Sequence, residues 1–341
     1  MKLVTGTEKK VFDFISKIGN NKTVLISHID LDGITSARIV NEVVKALELK
    51  FVEYEELNLD LVKELNKKEV KRVIFTDLYI KDKEFIKSLE EFAEILILDH
   101  HLSPDWNSAK TVSIRGEEGY SAGYLCYYLF SKIKNLEYLD WLVACSCVSD
   151  YCHVKPKEWL ERVFKKYGDE LEKVGEYVRK NGKFWDLQSN ISMALIYFKD
   201  KNMIKAYNSI GRTFGDIGNL DEYSREVKKD IDYIIKEFKK KRENIDQGYF
   251  FEINSSFSIN SIVSSILSGT ENNKTFVITK PEEDLYRISV RRQDGKVNCN
   301  KFMQELILGL KNAGGGGHAF AAGGNFMKKD LPEIRKRLGL K

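Results

Sequence analysis

Thr23-Val-Leu-Ile-Ser-His28-Ile-Asp30-Leu-Asp32-Gly33-Ile-Thr-Ser-Ala37 begins as a β-branched apolar run, breaks into a short acidic segment and resumes as a helical pattern. Read as a strand over Thr23–Ser27 and a helix from about Ile34 to Leu47, it is the first half of a β-α-β unit. The pattern repeats outward from it. Phe51–Tyr54 is short and extended, Asp60–Lys67 is helical, and Arg72–Thr76 is a strand. A helix follows over Asp82–Phe92, then strands at Ile95–Leu98 and Thr111–Ile114. Strands alternating with helices imply a mainly parallel sheet with helices on both faces.

From Ser121 to about Asn208 the pattern is helical. Leu220–Asn244 is highly charged and ends in Lys239-Lys240-Lys241-Arg242, which reads as a connecting helix with a solvated basic face. The strand and helix alternation then restarts: strand 249–253, helix 258–268, strands 275–279 and 285–291, helix 299–311, a glycine run and a last helix 331–338. The fold class is therefore α/β in two domains. The expected bounds are 1–215 for the first with its helical C-terminal part, 216–246 for the connector and 247–341 for the smaller second domain.

The 341 residues are enough for cores that need no disulfide. Hydrophobic residues make up 43% and charged residues 31%, ordinary for a globular chain. With 55 basic and 51 acidic residues the net charge is +4, which permits an anionic partner without demanding one. Apolar runs such as Ile95–Leu98 are far too short to cross a bilayer, and the N-terminus has no apolar signal core, so the expected location is cytoplasmic. A homodimer is compatible with the sequence.

Three expected strands end in potential metal ligands. Thr23–Ser27 runs into His28, Asp30 and Asp32; Arg72–Thr76 runs into Asp77; Glu94–Leu98 runs into Asp99, His100 and His101. In an open parallel sheet, ligands gather outside the carboxyl ends of the strands. Singly, each of these residues is an ordinary turn or cap, and Asp32-Gly33 alone is an unexceptional turn. Together, at matching strand ends, they point to a metal centre. Mixed Asp and His donors suit Mn²⁺; an all-oxygen set would favour Mg²⁺ or Ca²⁺. A rival cluster, Cys145, Cys147, Cys152 and His153, has C-x-C-x4-C-H spacing rather than paired C-x-x-C, and its cysteines read as buried thiols. Gly314-Gly-Gly-Gly-His318-Ala-Phe-Ala-Ala-Gly-Gly324 is the second signal, read as a backbone anion nest followed by a histidine.

These motifs resemble the DHH phosphoesterase superfamily, with a C-terminal domain of the DHHA1 type. Asp99-His100-His101 is the signature, and the segment Ser27–Ala37 is similar to the opening loop of RecJ-like exonucleases. Asp77 and Asp150, in Val148-Ser-Asp-Tyr151, match the second and fourth motifs. The chain's size is closer to nanoRNases. The resemblance implies two divalent ions, Mn²⁺ foremost, with Mg²⁺ or Co²⁺ as alternatives. One would take His28, Asp30 and Asp77, the other Asp32, Asp77, His100 and Asp150. It implies that His101 faces the phosphate or leaving oxygen, that Asp99 supports the histidines, and that Arg291 or Arg292, with Gly315, Gly316, Gly317 and His318, holds substrate. The implied activity is hydrolysis of short or single-stranded RNA or DNA to nucleoside monophosphates by an activated hydroxide. The alternatives are a cyclic-dinucleotide or 3′-phosphoadenosine 5′-phosphate phosphohydrolase, a pyrophosphatase, and a non-catalytic nucleic-acid scaffold.

Overall fold

A computed structural model describes residues 1–19, 21–44, 48–174, 177–178, 181–199 and 201–340, with no side-chain description for 173–174 and 177–178. The chain divides into two units, Met1–Ser224 and Arg225–Lys341.

Unit 1 runs β1 (Leu3–Thr5), α1 (Glu8–Ser16), β2 (Thr23–His28), α2 (Leu31–Val44), β3 (Glu48–Val52), α3 (Leu59–Lys67), β4 (Arg72–Thr76), α4 (Lys83–Glu90), β5 (Glu94–Asp99) and β6 (Thr111–Gly116). It continues with α5 (Ala122–Phe130), α6 (Asp140–Ser149), α7 (Lys157–Lys166), β7 (Lys173–Val174), β8 (Tyr177–Val178), α8 (Lys183–Phe198), α9 (Met203–Ser209) and the start of α10 (Leu220–Lys241). Its main sheet has the order β1-β6-β5-β4-β2-β3, parallel from β2 to β6, with β1 antiparallel at the edge. The expected strands and helices of this half are present within a few residues, and the last three residues of the helix expected to Leu47 lie outside those described.

Alternate residues of the strands enter two cores. Leu25, Ile74, Leu96 and Leu98 pack with α1, α2, α5 and α6, while Val24, Ile26, Val73, Phe75, Ile95 and Ile97 pack with α3 and α4. Strands buried on both faces carry unbroken apolar runs for this reason. β2 lies between β3 and β4, so the chain leaves β2 in one direction and returns past it in the other. That switch of direction opens a crevice at the carboxyl ends of β2 and β4.

Unit 2 takes most of α10 and then β9 (Glu243–Ile245), β10 (Gly248–Glu252), α11 (Asn260–Thr270), β11 (Thr275–Glu282), β12 (Leu285–Arg291), α12 (Cys299–Ile307), β13 (Gly314–Gly317), β14 (Ala321–Met327) and α13 (Leu331–Arg337). The sheet order is β13-β14-β12-β11-β10-β9, with only β10 and β11 parallel. The helix expected as a connector packs as part of this unit from Arg225 onward: Phe238 sits 5.6–5.8 Å from the rings of Tyr249, Phe251 and Phe276. Its basic end is paired, Lys240 and Lys241 with Glu237 and Arg242 with Glu271.

The glycine run is a strand. Gly314–Gly317 pairs antiparallel with Ala322–Asn325. This corrects the expected nest, because successive amides of an extended strand point to opposite sides and do not enclose one anion. The glycines are required for a different reason. A Cβ on Gly324 would lie 2.5 Å from Gly314 O, and one on Gly315 would lie 3.0 Å from Gly323 O and Met303 Cγ. Among the described residues no helix is long and apolar enough to cross a membrane.

Candidate metal centre

β2 delivers His28 at its last residue, and the chain turns at once into α2. Gly33 permits that turn, since a Cβ there would lie 2.2 Å from His28 O. Its N–H donates to Asp30 Oδ1 at 2.9 Å. Asp30 Oδ2 is left 3.0 Å from His28 Nδ1. Asp77 follows β4 with φ of 55°, left-handed for a non-glycine residue, and its N–H donates to Leu98 O at 3.0 Å. Backbone strain of this kind costs about 1–3 kcal/mol and collects at functional sites.

The three strand ends converge on Asp77. Its Oδ2 is 3.8 Å from His28 Nδ1, and its Oδ1 is 3.4 Å from His100 Nε2 and 4.0 Å from His101 Nδ1. His100 Nε2 also lies 3.6 Å from Asp150 Oδ2, just after α6, and 3.8 Å from Asp32 Oδ2. Donor atoms within 4.8 Å of one another fall into three groups: Asp77, Asp99, His100 and His101; His28, Asp30 and Asp77; Asp32, His100 and Asp150.

Among the described residues, three of these atoms are buried and make no well-aligned hydrogen bond: His28 Nδ1, despite Asp30 Oδ2 at 3.0 Å, Asp77 Oδ2 and His100 Nε2. Unsatisfied buried polar atoms are costly, and here each is a metal-ligand type facing the same centre. The residues present therefore fit a bound cation. Burial opposes charge on His28, but Asp30 and Glu53 outweigh it and push the imidazole up to about 10. His100 is likewise pushed up to about 10, against burial, by Cys152, Asp32, Asp150 and Asp99. Burial and then the neighbouring carboxylates drive Asp77 and Asp150 well above the usual range. Asp30 moves down, because His28 and the Gly33 amide outweigh burial. The cluster thus holds protons in places where a dication would relieve the same repulsion.

Asp32 and Asp99 are tied more firmly to the protein. Both Asp32 oxygens accept amides at the start of α5, Ala122 N at 2.7 Å and Gly123 N at 2.8 Å. Each oxygen retains a second lone pair, so Asp32 anchors a helix N-terminus while flanking His100. Asp99 Oδ1 is 2.8 Å from His101 Nδ1 and accepts the His100 amide at 2.8 Å, and its Oδ2 accepts Ser103 Oγ at 2.8 Å. Its side chain orients His101 rather than His100.

In unit 2 the two arginines part company. Arg292 is buried, with Nε and Nη2 on Asp294 at 2.7 and 3.0 Å and Nη1 on Gln247 and Thr275. Its fork is spent inside the protein, which corrects its expected place among the substrate ligands. Among the described residues Arg291 has uncharged partners only: Ser261 Oγ at 2.7 Å, Ser265 Oγ at 3.3 Å, and the carbonyls of Val290 and Ala322 at 3.0 Å. Such a guanidinium retains its charge for an anion. His318 is exposed on the turn between β13 and β14, its N–H on Ala321 O at 2.7 Å.

A family profile described as the DHH family, N-terminal domain, matches residues 22–146, and one described as the DHHA1 domain matches residues 249–339. The chain carries a DHH domain and a DHHA1 domain. Solved structures share the fold. RecJ from Thermus thermophilus in complex with Mn²⁺ is 14% identical with a TM-score of 0.69, over 99% of this chain and 55% of its own, so this chain spans about half of that protein. Exonuclease RecJ bound to manganese is 13% identical with a TM-score of 0.68, over 99% and 95%. A DHH domain described as a member of the s1p family of ribosomal proteins is 18% identical with a TM-score of 0.67, over 97% and 89%. At these identities the likeness is one of fold. A comparison with curated proteins gives no match.

The DHH domain also contains residues at its centre that the sequence reading passed over. Glu53, beyond β3, places Oε2 3.8 Å from His28 Nε2 and pairs with Lys199 after α8. Tyr54 stacks on His28 at 4.7 Å. No local motif marks them; the cue available was their place beyond the end of a neighbouring parallel strand. The metal-holding groups among the described residues contain no cysteine. Burial pushes the thiols of Cys126, Cys145, Cys147 and Cys152 up, in keeping with inert core positions.

Proposed function

We propose that the chain is a metal-dependent phosphodiesterase acting on short or single-stranded RNA or DNA and releasing nucleoside monophosphates. The observation that carries this is the set of buried donors of His28, Asp77 and His100 that make no well-aligned hydrogen bond, brought from three strand ends to one point. His28, Asp30 and Asp77 would hold one divalent ion, and Asp32, Asp77, His100 and Asp150 a second, with Asp77 shared. Histidine donors favour Mn²⁺ over harder ions. Ions bound there supply water activation and neutralise charge on the phosphoryl oxygens.

The protein's own groups do the rest. With Nδ1 directed to Asp99, His101 has Nε2 left for a phosphoryl or leaving oxygen, to which it donates when the ring carries both protons. In the DHHA1 domain, Arg291 and His318 hold a phosphate other than the one that reacts, beside the glycine strand. Arg291 suits this because no carboxylate pairs with it among the described residues, and Ser261 and Ser265 fix its orientation.

A product time-course tests the reading. With Mn²⁺, 5′- and 3′-labelled RNA and DNA of several lengths are expected to shorten to mononucleotides, with cyclic dinucleotides run alongside. Cleavage of the cyclic dinucleotides alone, or of none of the substrates, would remove it.

A further inference from the structure

Four exposed side chains adjoining this acidic centre in sequence are large and apolar or aromatic. Tyr54 follows Glu53, Tyr79 comes two residues after Asp77, Leu102 follows His101 and Tyr151 follows Asp150. Their relative exposures are 39%, 39%, 76% and 56%. They come from four separate segments, and each adjoins a residue of the centre. Large apolar groups gathered at the rim of a polar site mark a surface that a ligand covers.

The rings are ordered with respect to the histidines. Tyr54 lies flat on His28, with centroids 4.7 Å apart and planes at 24°, and meets His101 edge-on at 6.2 Å and 86°. Tyr79 meets His101 at 6.3 Å and 45°. These separations are the range over which aromatic rings attract one another. His101 thus has two part-exposed tyrosines in ring contact with it.

We propose that Tyr54 and Tyr79 form a base-stacking subsite beside His101, which receives the nucleobase next to the reacting phosphodiester. The inference rests on the phosphodiesterase reading and narrows it. An inorganic polyphosphate has no apolar part to cover the rim, whereas a nucleotide places a flat aromatic group within a few bonds of its phosphate. Stacking accepts every base, so the subsite distinguishes nucleotides from other phosphodiesters and discriminates little among the bases.

The test compares three esters in the presence of Mn²⁺: thymidine 5′-(p-nitrophenyl phosphate), thymidine 3′-(p-nitrophenyl phosphate) and methyl p-nitrophenyl phosphate. All share one leaving group, and only the first two carry a base. Wild type, Tyr79→Ala, Tyr79→Phe and Tyr54→Phe are assayed, with metal content measured on each. Wild type is expected to prefer the better nucleoside ester. In Tyr79→Ala that preference should fall on the order of tenfold, mostly through KM, the size typical of losing one stacked base. Metal content should hold, and both phenylalanine variants should retain the preference. A wild type indifferent to the base, equal losses on all esters, or a Tyr79→Phe as poor as Tyr79→Ala would overturn the subsite. Failure of wild type to hydrolyse any ester or oligonucleotide would instead overturn the phosphodiesterase reading, and the subsite with it.

Discussion

Asp77 stands where three strand ends of the DHH domain meet: 3.8 Å from His28, 3.4 Å from His100 and held in a left-handed backbone. As the shared ligand it would set both ions, so Asp77→Ala is expected to lower kcat on the order of a thousandfold, the scale of losing a main electrostatic element of a site. Retention of more than about a tenth of the rate, with normal metal content, would contradict sharing. The raised carboxyl has a second consequence. The folded, metal-free protein keeps a proton on Asp77 that the unfolded chain gives up, so N binds more protons than U, and stability falls as pH rises above the ordinary aspartate range. Asparagine carries the neutral form at every pH. Asp77→Asn should therefore melt higher than wild type in EDTA at neutral pH and gain nothing from Mn²⁺; a lower metal-free melting point would contradict the sign. In the DHHA1 domain, Arg291→Ala should cost about 1.5–3 kcal/mol in kcat/KM on an oligonucleotide and much less on bis(p-nitrophenyl) phosphate, which has no second phosphate to capture. Arg292→Ala should show instead as lost stability, since its partners are Asp294, Gln247 and Thr275. The candidate ligands other than Asp150 were legible because they cluster at the carboxyl ends of apolar strands; Asp150 follows a helix, and only the family motif pointed to it. Which arginine keeps its charge for an anion was not legible, because the answer lies in Asp294 closing on the Arg292 guanidinium while the α11 serines Ser261 and Ser265 bind Arg291 without neutralising it.

Among elements, the parallel strands were readable from their apolar runs, and their carboxyl ends from the acidic residues that follow. Short pieces were not. β1 has three residues and gains its place by pairing with β6 and by packing Leu3 on the core. The glycine run lacks any side-chain signature of a strand and becomes one because β14 and α12 approach too closely for a Cβ. α10 reads as a charged connector, yet Val227, Ile231, Ile234 and Phe238 form a buried stripe along it. A polar tie within the DHH domain was equally silent. Glu42 on α2 accepts Lys134 Nζ and Tyr138 OH at 2.8 Å and Arg212 Nη2 at 2.9 Å, joining three segments distant in sequence. Against burial, these partners pull its carboxyl down to about 2. A depressed folded value means the contribution is complete above the unfolded value near 4.5 and is lost as pH falls toward 2. With Arg212 exposed and Lys134 half-exposed, about 1–2 kcal/mol is reasonable. Urea midpoints for wild type and Glu42→Gln should differ at pH 7 and converge near pH 2; a constant difference would contradict the linkage.

The whole molecule carries a DHH domain with a cluster of metal-donor side chains and a DHHA1 domain in which, among the described residues, no carboxylate pairs with Arg291. If the centre is filled in the working protein, metal binding is also folding energy for unit 1. At a hundredfold excess over Kd, Mn²⁺ should add about 2.7 kcal/mol, or about 5–10 °C for a unit of this size. Asp30→Ala should lose part of that gain. The central claim, that this centre hydrolyses phosphodiesters with ions shared by Asp77, is tested most directly by titrating Mn²⁺ into metal-free protein while following bound metal and cleavage of a labelled single-stranded oligonucleotide. The account predicts no cleavage without metal, a rate that saturates as about two ions per chain bind, and neither signal in Asp77→Ala. Tight oligonucleotide binding without cleavage at any Mn²⁺ concentration, or EDTA-resistant cleavage that survives Asp77→Ala, would contradict it.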